Sequence, residues 1–393
     1  MLDLDNGLDF DAARAEEEFF PALPARPAVC LIEPHEEKAE PFLIRTQNLQ
    51  RRLQRLLGPA DPASKRLNLR DFVRGIRYRL TASRFEQNLT YYQQAKKLFP
   101  KRYRNLMRLR PPAVLKVNLS SSYPRCYVTR KIQLGQDGAP TAGSYYGPFP
   151  SRRAAEAFAE SVLDFFKVRR CQIKIRRDPS FPGCIYSEMK MCLAPCFAGC
   201  TKEEYDVEVG RLVQCLETNG VSLRTAFEDE REKASEQLDF ERAAALHKKV
   251  EKLDEVLGGR PEITRRIQDL QAVILQRSEE EQTIGVYAVH SGRLAEPFFL
   301  RFAEIASQPR SAEQILRDYL ESPANTQNGD LSEDLSIVSR WFYSKPREGE
   351  IFFREKDWPY RRILRACSRL LAPSTGAENS PAPGPAPAPE GAS

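Results

Sequence analysis

Four of the chain's nine cysteines fall within RRCQIKIRRDPSFPGCIYSEMKMCLAPC, residues 169–196. Cys171, Cys184, Cys192 and Cys196 are separated by twelve, seven and three residues, with turns at Pro182-Gly183 and Ala194-Pro195. Four thiolates converging from loops suit tetrahedral zinc or the corners of an iron–sulfur cluster. No histidine lies inside the cluster, which removes the mixed Cys/His fingers. The chain's three histidines, His35, His247 and His290, are distant in sequence, so a nucleophilic cysteine would lack a neighbouring base. Buried free thiols remain the plain alternative, and Cys200 is close enough to compete as a ligand.

Metal ligation is favoured over disulfides by the expected compartment. The start, MLDLDNGLDFDAARAEEE, is acidic and has no leader-like apolar stretch, and no apolar run approaches the ~18 residues of a membrane span. A cytoplasmic protein without membrane contact is expected, in which thiols stay reduced.

The net charge of +6 conceals a segregation. From Arg45 to Arg110 there are 18 Lys plus Arg and three acids, Asp61, Asp71 and Glu86. Such an excess is the footprint of a surface that meets a polyanion, with Arg51, Arg55, Lys65, Arg66, Arg70, Arg74 and Arg77 as candidate DNA contacts. Interleaved aromatics, including Tyr78, Tyr91 and Tyr103, are expected mainly in the core.

The patterning predicts an α+β chain. Residues 1–22 read as a flexible acidic arm and 372–393, rich in Pro, Ala and Gly, as a disordered tail. Within 23–112, AVCLI (28–32) and PFLI (41–44) read as a strand hairpin, TQNLQRRLQRLL as a basic amphipathic helix, and Ser83–Leu98 as a second helix. Within 113–205, an antiparallel strand pair and a helix capped by Ser151 precede the cysteine module. Residues 206–260 read as helical, with a two-helix hairpin broken near Leu238-Asp239-Phe240. Residues 261–371 read as a mixed α/β segment of unassigned role, with a turn at Ser291-Gly292.

The run YYGPFPS, a helix ending FFKVRRC, then PGC, MCLAPC and LDFERAAALHKKVEKL resembles the excinuclease C (UvrC) family of bacterial nucleotide-excision repair over roughly residues 23–300. The resemblance implies that the four cysteines hold a [4Fe-4S] cluster, with Zn²⁺ the alternative. It also implies that the helical hairpin is a UVR motif, meeting a UvrB-like protein through Leu238, Phe240, Ala243, Ala244 and Leu246. The implied substrate is lesion-containing double-stranded DNA, incised by a GIY-YIG nuclease domain with Mg²⁺ or Mn²⁺ held by a glutamate.

That nuclease pattern is degenerate here. By the resemblance, Cys30 stands in place of the general-base tyrosine, Phe42 replaces the second tyrosine, Ile44 the glycine, and Arg45 a lysine. Arg52 matches the helix arginine and Glu86 the metal-binding glutamate. A cysteine is shorter than a tyrosine, and a phenylalanine has no hydrogen-bonding group. Loss of general-base help, typically worth ~100- to 10,000-fold, predicts a weak or silent nuclease. The expected alternatives are therefore a metal-dependent endonuclease with an altered base and a non-cleaving DNA- and partner-binding paralogue. The stretch GVY at 285–287 has no YIG partner and reads as an ordinary hairpin strand.

Overall fold

The computed structural model describes residues 2–372 apart from 37, 60–62, 64 and 323–329. Its first sheet has the order β1-β4-β2-β3, built from Asn6–Asp9 (β1), Ala28–Pro34 (β2), Phe42–Thr46 (β3) and Val73–Leu80 (β4), every pair antiparallel. Successive side chains of a strand point to opposite faces, and β2 is apolar on both. Ala28, Cys30 and Ile32 enter a core with Leu49, Leu53, Leu56 and Leu57 of helix α1 (Leu49–Leu57), whereas Val29 and Leu31 enter another with Phe85, Leu89 and Tyr92 of helix α2 (Arg84–Leu98). Asn48 caps α1 by accepting from the Arg51 amide, and Ser83 caps α2 by accepting from the Glu86 amide. The turn after α2 leads to a short helix, α3 (Tyr103–Met107).

The acidic start is not a free arm. β1 pairs with β4, Phe10, Phe19, Phe20 and Leu23 are buried beside α1, and the Leu2 amide donates to Gln93 Oε1 at 2.8 Å. The acids occupy the solvent side of a segment whose large apolar residues anchor it. The tail from Pro373 and Asp61 of the basic run lie outside the described residues.

The second sheet, β6-β5-β7-β8, comprises Ala113–Val117 (β5), Cys126–Thr129 (β6), Ser144–Phe149 (β7) and Arg265–Arg266 (β8). Helix α4 (Arg152–Leu163), capped by Ser151 as expected, packs on it, followed by α5 (Lys202–Glu217), α6 (Val221–Glu236) and α7 (Phe240–Gly258). The last two form the expected hairpin. Leu238 adopts a left-handed φ of 60° at the break, and Asp239 caps α7 by accepting from the Arg242 amide at 3.0 Å. Leu223, Phe227, Leu246, Val250 and Leu253 bury the hairpin's inner stripe in the same core as α4 and α5. The hairpin therefore has a fixed seat on its own domain.

The third sheet is Ala272–Arg277 (β9), Thr283–His290 (β10), Arg293–Leu294 (β11), Phe298–Arg301 (β12) and Glu350–Phe353 (β13), in the order β11-β10-β9-β13 with β12 also on β10. Gly285-Val286-Tyr287 sits within β10, an ordinary hairpin strand turning at Ser291-Gly292, where both residues have positive φ. Helices α8 (Ala312–Glu321) and α10 (Tyr360–Leu371) cover one face of this sheet. The other face joins β2, α2 and helix α9 (Leu331–Phe342) in one core.

Residues 23–112 and 261–371 are thus not independent units. Phe85 of α2 meets Tyr287 of β10 and Trp341 of α9 edge-on, with ring centroids 4.9 and 5.5 Å apart. Beside them the buried Glu333 carboxylate accepts from Tyr92 and Tyr103 hydroxyls, Lys96 Nζ and Arg104 Nε at 2.6–3.1 Å. Among the described residues no helix is long and apolar enough to cross a membrane.

Candidate functional site

The residues aligned with the degenerate nuclease pattern divide among three places. Phe42, Arg45 and Arg52 line one cleft of about 730 Å³, together with Tyr91, Arg102 and Leu106. β3 supplies Phe42 and Arg45, α1 supplies Arg52, and α2 supplies Tyr91 through the helical face that also carries Asn88. The Arg45 guanidinium sits 5.2 Å from the Tyr91 ring centroid and donates to Asn88 Oδ1. Phe42 and Leu106 are solvent-exposed at 37% and 42%. Glu40 is the only carboxylate among the described lining residues, and it is paired with Arg102.

Positive charge extends beyond the cleft. Arg340 of α9 donates to the Met107 and Arg108 carbonyls. Burial lowers its pKa, and the like charges of Arg45 and Arg110 lower it further. Sequence reasoning missed Arg102 and Arg340 and named Tyr91 among the interleaved aromatics expected mainly in the core. Its place one turn beyond Asn88 on α2 brings it to the cleft as well, whereas Arg340 reaches this region only through the shared core.

Cys30 and Glu86 are elsewhere. Cys30 is fully buried in the α1 core, its thiol reaches only the neighbouring Leu31 carbonyl, at 3.8 Å, among the described residues, and desolvation pushes it far up. It cannot serve as a base for a substrate in the cleft. Glu86, 1% exposed, accepts from Arg79 Nε at 3.3 Å through Oε1, while Oε2 is buried without a partner. Burial raises its pKa and Arg79 opposes that rise. Glu86 does not line the cleft, because its side chain leaves α2 toward the third sheet. The metal-binding position expected there is a sealed carboxylate.

The candidate DNA contacts also divide. Arg51 and Arg55 are exposed on the outer side of α1, and Lys65 and Arg66 are exposed in the loop that follows. Arg74 and Arg77 on β4 pair with Glu33, and Arg70 donates to the Leu57 and Ala12 carbonyls. These last three are first of all intramolecular ties.

Between α4 and α5 the cysteine loops fold around short turns. A helical turn at Ile185–Glu188 begins at Cys184, and a 3-10 turn at Pro195–Phe197 is flanked by Ala194 and Ala198 in left-handed conformation. The Ala194 amide donates to Cys192 Sγ at 3.3 Å, and the buried Arg169 guanidinium approaches Cys171 Sγ at 3.8 Å. Burial pushes the Cys192 thiol up to about 11, and Cys171, Cys196 and Cys184 all add to the rise, so the four thiols lie within electrostatic reach of one another. Cys200 belongs to the neighbouring core. Among the described residues, however, no group of three or more His, Cys, Asp and Glu side chains is arranged to hold a metal ion. A mononuclear zinc site would bring thiolate sulfurs within about 4 Å of each other, as Zn–S bonds of about 2.3 Å require. A cysteine-only donor set with amide and guanidinium donors to sulfur fits a thiolate-bound centre in chemistry, though its ligands are not closed around a single ion.

On the hairpin, Leu238 and Phe240 are 72% and 68% exposed at the tip, Ala244 is exposed and Ala243 half-buried. Leu246 is 3% exposed and belongs to the domain core. It cannot share a docking face with Leu238 without unseating α7.

Residues 113–215 match the family model of the UvrC/Cho excinuclease middle domain. The chain is similar to UvrABC system protein C of Caldanaerobacter subterraneus subsp. tengcongensis, 26% identical over 239 residues, covering 59% of this chain and 38% of that one. The corresponding protein of Acetivibrio thermocellus is 25% identical over 252 residues (60% and 39%), and that of Carboxydothermus hydrogenoformans 27% over 275 residues (69% and 43%). The chain thus spans about two-fifths of the length of these relatives. No solved structure matches it. The matched residues take in β5 to β7, α4, the cysteine loops and most of α5, and through this middle domain the chain is similar to the UvrC family.

Proposed function

We propose that the chain acts in nucleotide-excision repair as a DNA- and partner-binding relative of UvrC that does not cleave. One observation carries this reading: Arg45 and Arg52 converge on an open, aromatic-walled cleft, while Cys30 is locked in one core and Glu86 in another. The cleft retains cations that attract phosphate, its one carboxylate among the described residues, Glu40, is tied to Arg102, and Cys30 and Glu86 are sealed away from it. Arg51 and Arg55 extend the cationic surface along α1. The exposed tip formed by Leu238, Phe240 and Ala244 is the apolar contact for a UvrB-like protein, with the buried inner stripe holding it in place.

Cys171, Cys184, Cys192 and Cys196 would hold the metal centre, a [4Fe-4S] cluster in preference to Zn²⁺, as the resemblance to the UvrC family implies. Such a centre supplies a cross-link between loops with little apolar anchorage, and compensates thiolates that could not otherwise ionise together.

The test uses lesion-containing duplex with Mg²⁺ or Mn²⁺, following binding by fluorescence anisotropy and incision on denaturing gels. Salt-sensitive binding without incision is expected. Incision by the wild type that disappears in Glu86→Ala would overturn the reading and restore the endonuclease. After anaerobic purification a brown protein is expected; one equivalent of zinc in colourless protein would replace the cluster with a zinc site.

A further inference from the structure

A second cleft, of about 600 Å³, opens where the Asp137–Pro140 turn meets the third sheet and the end of α8, and it shares no lining residue with the arginine-lined cleft. Its size is that of a small-molecule site. Three side chains of different elements define its polar wall. His290, at the end of β10, is 9% exposed; its Nδ1 is 3.1 Å from Gln271 Oε1, and its Nε2 is buried with no partner. Arg293, on β11, donates Nη2 to the Gly138 carbonyl at 2.7 Å. Arg354, just after β13, makes no salt bridge with any described residue, and its own amide donates to the Gln271 carbonyl, which fixes its backbone against the same wall. Trp358 lies edge-on to the His290 ring, with ring centroids 6.4 Å apart.

A buried imidazole nitrogen without a partner is a site waiting for a polar atom. Gln271 Oε1 is an acceptor, so Nδ1 carries the ring proton and Nε2 is left as an acceptor. Burial and then the nearby Arg354 lower the His290 pKa, which keeps the empty ring neutral. The two rim carboxylates are engaged: Asp137 accepts from the Ala139 amide at 3.0 Å, and Glu321 from the Tyr360 hydroxyl at 2.7 Å.

We propose that this cleft binds the phosphate of a phosphomonoester, with the Arg354 and Arg293 guanidiniums clamping its oxygens and His290 Nε2 making the third contact. Guanidinium forks match phosphate oxygens in pairs. A monoester monoanion donates its P–O–H to Nε2; a dianion draws a proton onto Nε2, which then donates. The remaining volume accommodates the group that bears the phosphate, either a free nucleotide or the 5′-terminal nucleotide of a strand. This site is independent of the cleft on which the proposed function rests.

The experiment is a proton NMR titration of the full chain with inorganic phosphate at pH 7, reading the ring protons of the three histidines, with His290 assigned through His290→Gln. A saturable shift at His290 alone is expected, reduced at least tenfold in affinity by Arg354→Gln and partly restored in Arg354→Lys. Melting curves of each variant establish that it is folded. No saturable shift, equal shifts at His35 and His247, or an undiminished shift in folded Arg354→Gln would overturn the assignment. Competition with a mononucleotide and with 5′-phosphorylated or unphosphorylated oligonucleotide then identifies the source. Displacement by the mononucleotide alone supports a free nucleotide, and displacement also by the phosphorylated strand supports a strand end. Displacement by the unphosphorylated strand as strongly as by the phosphorylated one would overturn phosphomonoester recognition.

Discussion

Arg79 Nε lies 3.3 Å from Glu86 Oε1, and this pair holds the one acidic residue of α2 against the third sheet rather than in the cleft that contains Arg52. Arg79 is further engaged by Asp5 at 2.6 Å and by the Phe299 ring, 5.4 Å from its guanidinium carbon. The carboxylate is therefore part of the joint between the first and last parts of the chain.

Glu86→Ala is expected to destabilise by about 3 kcal/mol, near the low end for removing one partner of a buried pair, because Arg79 keeps Asp5. Glu86→Gln keeps an acceptor for Arg79 without a buried charge and should change stability by less than about 1 kcal/mol. Urea titrations of both variants check the contrast, and a metal-ligand role would instead make the two equally harmful to activity.

Arg45→Ala and Arg52→Ala are expected to weaken binding to any duplex sequence alike. Each should reduce the slope of log K against log salt by about one, the signature of one lost phosphate contact. Arg77→Ala, whose guanidinium is already paired with Glu33, should leave the slope nearly unchanged. Anisotropy at four salt concentrations measures all three.

Glu333 and its neighbour Asp334 carry opposite pH dependences. Burial would raise the Glu333 pKa, but hydrogen bonds from Tyr92, Tyr103, Arg104 and Lys96 outweigh it and hold the group at about 2. Its stabilisation is present above the ordinary glutamate value of 4.5 and is lost as pH falls toward 2. Asp334 is raised by burial to about 7, so its effect runs the other way, with stability lost as pH rises from 3.8 toward 7. Denaturant midpoints across pH should show a flattened acid limb in Glu333→Gln and a flattened limb between those last two values in Asp334→Asn.

The hairpin offers a separation of seat from tip. Leu246→Ala is expected to cost about 2–4 kcal/mol, whereas Phe240→Ala at the exposed tip should cost less than about 0.5 kcal/mol. If the tip docks a UvrB-like protein, Phe240→Ala weakens that association while its melting curve matches the wild type.

Cys192→Ser is expected to bring iron per chain close to zero, because it removes one of the four proposed thiolate ligands. Cys200→Ser should retain iron, since that side chain packs in the core beside Tyr205 and Val209. Elemental analysis of both proteins, purified without oxygen, tests the assignment of four ligands.

Local chemistry made several of these elements legible in the chain itself. Asn48 and Ser83 announce the helices they cap, the short apolar run AVCLI announces a strand, and Asp239 after Leu238 marks the break of a helical hairpin, because caps, pleats and turns act over a few neighbouring residues. The cysteine spacing likewise marked a module. What tertiary structure alone decided was the direction in which Glu86, Leu246, Cys30 and Arg74 face, and the burial of the acidic start. Each depends on a partner far along the chain: Glu86 on the third sheet, Leu246 on the core of α4 and α5, Cys30 on α1, and Arg74 on Glu33. A strand such as β2 is apolar on both faces whichever layers cover it, so only the assembled cores determine which side chains meet a ligand and which are sealed.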